Sequence, residues 1–166
     1  MASSDSVPAF VAQDHNHDHC LSDALVRARN ICMQRGARLT DLRQQVLELV
    51  WAGHKPLGAY EILDALRMAR GKAAPPTVYR ALEFLLHHGL IHRIESQNAY
   101  VGCTEPELPH GGQFLICLAC GATVELNDPR IDAAIAEQAK SAGFSIESRT
   151  VEVDGVCPHC TDSSAA

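Results

Sequence analysis

The sequence predicts an α+β protein, with an N-terminal winged helix-turn-helix domain followed by a small C-terminal α/β domain held by a structural metal. Three observations carry this prediction. Four amphipathic helical patterns between Ser22 and Gly89 are followed by a short hairpin pattern. Two Cys-x-x-C pairs, Cys117/Cys120 and Cys157/Cys160, stand with 36 residues between them. Charge is unevenly spread, since residues 1–20 carry −3, residues 21–100 carry +4 and residues 101–166 carry −7 within a net charge of −6. A polyanion would therefore meet the N-terminal half.

Ser22 opens the first helical pattern, with Leu25, Ala28, Arg29 and Cys32 on one face and Gly36 as its stop. Cys32 reads as a buried core thiol. Thr40 supplies the side-chain cap of a second helix, which carries Leu42, Val46, Leu49 and Val50 and is closed by Gly53. The third runs from Ala59 to Arg70 on Ile62, Leu63, Leu66 and Ala69, and stops at Gly71. The fourth follows Pro75-Pro76, a pair suited to a first turn because the N–H groups it lacks have no intrahelical acceptor there. It carries Val78, Leu82, Leu85 and Leu86 and ends at Gly89. Leu90–Glu95 and Asn98–Cys103 read as two short strands turning through Ser96-Gln97-Asn98. Helices followed by a hairpin make the fourth helix the one that enters a major groove and the hairpin its wing.

From about residue 104 the pattern changes. Gln113–Cys117 and Ala122–Leu126 read as strands flanking Cys120-Gly121, and Asp128-Pro129 starts a helix over Arg130–Ala142 that Gly143 ends. Phe144–Val153 alternates apolar and polar residues, the mark of a half-buried strand. Three strands and a helix make a thin fold, which a zinc staple and dimerisation of the sheet would stabilise. The expected organisation is a disordered His-containing tail at 1–20, a winged-helix DNA-binding domain at 21–98 and a hinge at 99–106. An α/β dimerisation and metal-binding domain at 107–161 and a tail at 162–166 complete it. His15, His17, His19 and Cys20 make a metal-collecting arm the alternative reading of the first tail.

Hydrophobic residues make up 46% of the chain and aromatics 5%, so Leu, Ile, Val and Ala must fill both cores. No apolar run is long enough to span a membrane, and Met1–Phe10 lacks the basic start and apolar core of a signal peptide. The expectation is a cytoplasmic protein, in which seven cysteines, an odd number, read as metal ligands rather than disulfides.

A two-residue gap lets both sulfurs of a Cys-x-x-C pair reach one ion, and two pairs complete a tetrahedral S4 shell. Cys117, Cys120, Cys157 and Cys160 are therefore the predicted structural zinc site, closed to water and unsuited to catalysis, with His159 a bystander. A second set, His92, Cys103, His110 and Glu125, offers N, S, N and O donors, a mixture that suits zinc. Taken singly, each reads equally as a solvated wing residue, a buried thiol, a loop histidine and a surface carboxylate.

From about residue 22 to residue 160 the chain resembles the ferric-uptake-regulator family of bacterial metal-sensing repressors, and most of all its zinc-uptake-regulator branch. The residues that carry the resemblance are Pro75-Pro-Thr-Val-Tyr-Arg-Ala-Leu82, Gly89-Leu-Ile-His92, Cys117-Leu-Ala-Cys-Gly121 and Cys157-Pro-His-Cys160. The resemblance implies a regulatory zinc on His92, Cys103, His110 and Glu125, hence two zinc ions per chain with the structural one. Gly111-Gly-Gln-Phe114 stands where iron sensors of the family carry a His-His-Asp-His motif, which speaks against an iron or manganese site.

On the fourth helix, Arg80 has the shape for bidentate contact with guanine, and Tyr79 lies beside it. Thr77 and the helix start could hold a phosphate. The resemblance places Tyr60 at the DNA face too, with packing as the rival reading for both tyrosines. Arg43 and Lys55 read as backbone contacts or as plain solvated charge. The expected partner is operator DNA with an inverted repeat, read by a homodimer. Zinc would join the wing to the loop and dimer domain and so set the spacing of the recognition helices. By resemblance, the zinc-bound form represses zinc-uptake genes. An enzyme is not expected, for there is no His-x-Glu of a zinc deaminase and both Cys pairs are committed to the S4 site. A small-molecule substrate is not expected either. The alternatives are a regulator of the same fold sensing iron, manganese or peroxide, and a zinc buffer or chaperone built on the N-terminal histidines.

Overall fold

The computed structural model describes residue 10, residues 17–108 and residues 111–163. The remainder of the N-terminal tail lies outside the described residues; of the metal-collecting reading, His15 lies there too, while His17, His19 and Cys20 stand at the start of the first helix. The chain divides into two compact units, one within Val11–Leu108 and the other on Pro109–Ala166 together with the Phe10 end of the chain.

The first unit is helical. Its elements are α1 (His17–Gln34), α2 (Asp41–Trp51), β1 (Leu57–Gly58), α3 (Ala59–Arg70), α4 (Pro75–His87), β2 (Ile91–Ile94) and β3 (Ala99–Gly102). Helix α1 starts at His17, earlier than the tail expected to reach residue 20, and His19 and Asp23 pair at 3.5 Å across its first full turn. Thr40 caps α2 as expected, its side chain accepting from the Arg43 N–H. Helix α3 is held at its start by the Glu61 carboxylate, which accepts from the Gly58 N–H at 2.7 Å, and it ends on Gly71 at φ 73°. Ala28, Val46, Ile62, Leu66, Val78, Leu82 and Leu85 are almost wholly withdrawn from water and form the core. Each Val, Ile and Leu among them contributes about 1.5–3 kcal/mol of burial free energy.

The wing is a three-stranded sheet in the order β1-β3-β2, all antiparallel. Residues 99–102, placed in the expected hinge, form β3; all four pair with β2, and Ala99 and Tyr100 pair with β1 as well. The Arg27 guanidinium of α1 donates to the Thr104 carbonyl at 2.6 Å and pins the segment that follows the wing.

The second unit holds β4 (Gly112–Cys117), β5 (Thr123–Glu125), α5 (Pro129–Ser141), β6 (Thr150–Gly155) and the short α6 (Pro158–Ser163). Its sheet has the order β5-β4-β6, with β4 and β6 parallel. The strand expected over Phe144–Val153 is shifted to Thr150–Gly155. Thr150 pairs with Gly112, the first residue of β4, so the residues before Thr150 have no ladder to join. Asp128 caps α5, accepting from the Arg130 N–H at 2.8 Å. Gln113, 2% exposed on β4, donates to the Asp132 carboxylate of α5 at 2.7 Å, and the other oxygen of that carboxylate takes the Arg149 guanidinium at 2.5 Å. Gly111 leaves the room that the Arg149 side chain fills.

Candidate metal centres and nucleic-acid face

The central strand β4 ends at Cys117, and a tight turn brings Cys120 back beside it. Two backbone hydrogen bonds close that turn, Cys117 N–H to the Ala122 carbonyl at 2.9 Å and Gly121 N–H to the Cys117 carbonyl at 2.8 Å. Gly121 sits at φ 76°, a conformation that favours glycine. Parallel pairing of β6 with β4 sets Gly155 opposite Cys117, and the Leu118 N–H reaches the Gly155 carbonyl at 2.8 Å. The chain then turns into α6, where the Cys160 N–H donates to the Cys157 carbonyl at 3.0 Å.

The four sulfurs of Cys117, Cys120, Cys157 and Cys160 all lie within 4.8 Å of one another. Those of Cys120 and Cys157 are 3.8 Å apart. A tetrahedral S4 shell with Zn–S near 2.3 Å has edges of about 3.8 Å, which the Cys120–Cys157 separation matches, so the donor set fits zinc. The Cys157 N–H donates to the Cys117 sulfur at 3.3 Å. That hydrogen bond, with a second from Cys120, draws the Cys117 thiol down to about 6. Cys160 is pushed up to about 12 by hydrogen bonding with Cys157 and Cys120. The tetrad thus stabilises one thiolate but resists gathering four negative charges, and a dication is what removes that resistance. Cys117 and Cys157 are buried and Cys120 and Cys160 half-buried, so the four donors are largely enclosed.

Of the second set, the structure brings together His92 and Cys103. His92 is half-buried on β2, Cys103 follows β3 at 3% exposure, and their donor atoms lie within 4.8 Å. The Cys103 N–H donates to the Leu90 carbonyl at 3.1 Å, extending the β2–β3 ladder by one step. Glu125 belongs to the other unit, at the end of β5 opposite Phe114, and is only 7% exposed. His110 lies outside the described residues.

Helix α4 turns Val78, Ala81, Leu82 and Leu85 into the core and leaves Thr77, Tyr79 and Arg80 exposed on its outer side. Tyr60, 71% exposed at the start of α3, is not a packed aromatic. Lys55 is exposed. Arg43 departs from the expected backbone contact. Its guanidinium carbon lies 3.6 Å from the centre of the Phe84 ring, and one nitrogen donates to the Arg38 carbonyl at 2.6 Å. The sequence reading passed over Arg67, Arg70 and Lys72, which with Thr77 line a concavity of about 510 Å³ at the start of α4. The signal was present, as three cations just before Pro75-Pro76.

Residues 34–154 match the model of the ferric uptake regulator family. This chain belongs to that family. Among its relatives in the family, the zinc uptake regulation protein of Escherichia coli strain K12 is 39% identical over 144 residues, covering 86% of this chain and 84% of that protein. The zinc uptake regulation protein of Mycobacterium tuberculosis strain H37Rv is 33% identical over 128 residues, covering 75% and 95%. A zinc uptake regulator solved in complex with zinc and DNA superimposes with a TM-score of 0.84 at 38% identity, covering 88% of this chain and 98% of that one. Holo XcZur superimposes with a TM-score of 0.78 at 42% identity, covering 84% and 98%. The ferric uptake regulator fold is thus the fold of this chain, winged helix-turn-helix domain included. No described helix is long and apolar enough to cross a membrane.

Proposed function

We propose that this protein is a zinc-responsive transcriptional repressor that binds inverted-repeat operator DNA as a homodimer and represses zinc-uptake genes when zinc is bound. The observation that carries the reading is the likeness, at 38% identity and a TM-score of 0.84, to a regulator solved with zinc and DNA. Two zinc ions per chain are proposed, a structural one on Cys117, Cys120, Cys157 and Cys160 and a regulatory one on His92, Cys103, His110 and Glu125. The pairing of His92 with Cys103 supports the second assignment.

Bound at either site, zinc supplies a double positive charge shared among its donors. The chain's own residues do the rest. The exposed side of α4 presents Arg80 and Tyr79 to base edges, Tyr60 extends that face, and Thr77 with the neighbouring cations Arg67, Arg70 and Lys72 attracts phosphate. Arg43 would act there only by giving up its place on Phe84. In the second unit, the outer edge of β6 and the exposed Phe144, Val153 and Val156 offer a surface for a second copy. His92 and Cys103 must lose protons to hold metal, so response weakens as pH falls.

The test is zinc per chain by elemental analysis before and after mild chelation, with binding to genomic DNA fragments followed in parallel. Two zincs falling to one, with DNA binding lost and then restored by added zinc, is the expected result. One zinc that never changes, with DNA binding indifferent to chelation, would overturn the sensor reading. Cys103→Ser separates the sites, since it should lose zinc-dependent DNA binding while keeping tetrad zinc.

A further inference from the structure

We propose that Trp51 is a positioning residue for the regulatory site, holding the His92–Cys103 pair in place from the opposite face of the same strands. The inference rests on the sensory assignment proposed above, and it concerns residues of the helical unit alone.

Gly102 is the last residue of β3, and a Cβ built on it would overlap the Trp51 indole at Cε2, Nε1 and Cδ2. The ring occupies the space that any side chain at position 102 would need. Gly102 lies opposite Ile91 on β2, and Val101 lies opposite His92. Side chains alternate along a strand, so Tyr100 and the bare position 102 face one side while Val101 and Cys103 face the other. His92, across from Val101, shares the Cys103 side. The indole therefore backs the sheet directly behind the two metal donors.

That backing matters because the end of β3 is weakly held. Strand β1 pairs only with Ala99 and Tyr100, so Val101 and Gly102 have a strand neighbour on one side, β2. A strand end with one neighbour opens readily. Trp51 adds the missing restraint from the end of α2, whose Val46, Leu47 and Val50 are anchored in the core. The contact fixes the backbone one residue before Cys103 and so pre-organises its sulfur beside His92. It also links the metal-binding strands to a helix of the helix-turn-helix.

Trp51 is the single tryptophan in the chain, so its emission reports on this contact alone. The experiment titrates zinc, against a chromophoric chelator, into full-length protein that retains its tetrad zinc. Wild type, Gly102→Ala, Trp51→Ala, Trp51→Phe and the double variant Trp51→Ala/Gly102→Ala are compared. Wild-type emission should change as the regulatory zinc is taken up and stay level once that site is full. Gly102→Ala and Trp51→Ala should each weaken the second zinc by about tenfold or more, with tetrad zinc and helix content unchanged. Trp51→Phe should recover most of the loss, and the double variant should bind better than Gly102→Ala, because the added methyl then has room. Second-site affinity in Trp51→Ala and Gly102→Ala within about twofold of wild type would overturn the proposal. So would an affinity loss that tracks loss of helix content across the set, which would mark a merely structural residue. Failure of the sensory reading itself looks different. Wild type would then take up no second zinc, or Cys103→Ser would bind DNA in a fully zinc-dependent manner, and the positioning role would fall with it.

Discussion

The backbone N–H of Cys157 donates to the sulfur of Cys117 at 3.3 Å, across 40 positions of sequence. The second Cys pair is thus aimed at the first by the peptide backbone as well as by the side chains. Cys117→Ser should release the tetrad zinc and, because structural zinc is worth about 10–16 kcal/mol in small domains, melt the second unit. Elemental analysis with far-UV circular dichroism would show one zinc fewer per chain and loss of the α5 signal, with the helical unit still folded.

Asp128 provides a pH test. Its carboxyl is held down to about 2 by hydrogen bonds from the Arg130 side chain first and the Arg130 N–H second. The folded value lies below the ordinary 3.8, so this group stabilises α5 above about pH 4, and its contribution fades as pH falls toward 2. Thermal melts of wild type and Asp128→Asn should differ at pH 7 and converge as pH is lowered through that window.

Arg80→Ala should cost about 1–3 kcal/mol of operator binding and relax specificity at one base pair of each half-site. Lys72→Ala should weaken all sequences alike and lower the salt dependence by about one counterion. Titrations at several salt concentrations on operator and random duplexes distinguish the two. Equal loss on both duplexes for Arg80→Ala would remove it from base readout.

Leu85 is fully buried at the centre of the helical core. Leu85→Ala should destabilise that unit by about 2–5 kcal/mol and leave tetrad zinc in place, as read by denaturant titration and metal content.

Asp132 bonds Gln113 with one oxygen and Arg149 with the other. Asp132→Ala takes the carboxylate from the Arg149 guanidinium and leaves the Gln113 amide donating to the Asp128 carbonyl alone, and should cost the second unit about 1–3 kcal/mol. Asp132→Asn, which keeps the shape and one acceptor, should cost less.

The helices were legible because their ends are written in local chemistry: Thr40 before α2, Gly71 after α3, Pro75-Pro76 opening α4. The S4 tetrad was legible because two-residue spacing is itself the geometry of chelation. Strand β1 was not, since Leu57–Gly58 is too short for any periodicity and exists only through its pairing with β3. The start of β6 is set by where β4 begins, which residues 144–149 do not encode. Arg43 reads as a surface cation until Phe84, 41 positions away, is brought against it. Gly102 looks like a weak strand residue, and only the arrival of Trp51 gives its missing side chain a meaning.

The parallel alignment of β6 beside β4 bears on the order in which the protein assembles on the ribosome. Every buried residue of the helical core lies between Ala28 and Tyr100, whereas the cysteine tetrad is incomplete until Cys160 has been made, about 60 residues later. The nascent chain can therefore carry a finished helical unit while Cys117 and Cys120 still wait, as an exposed half-site, for their second pair. In that interval any competing thiol or soft metal ion meets two ligands instead of four, so the time spent translating residues 121–156 is when this protein is most open to mismetallation.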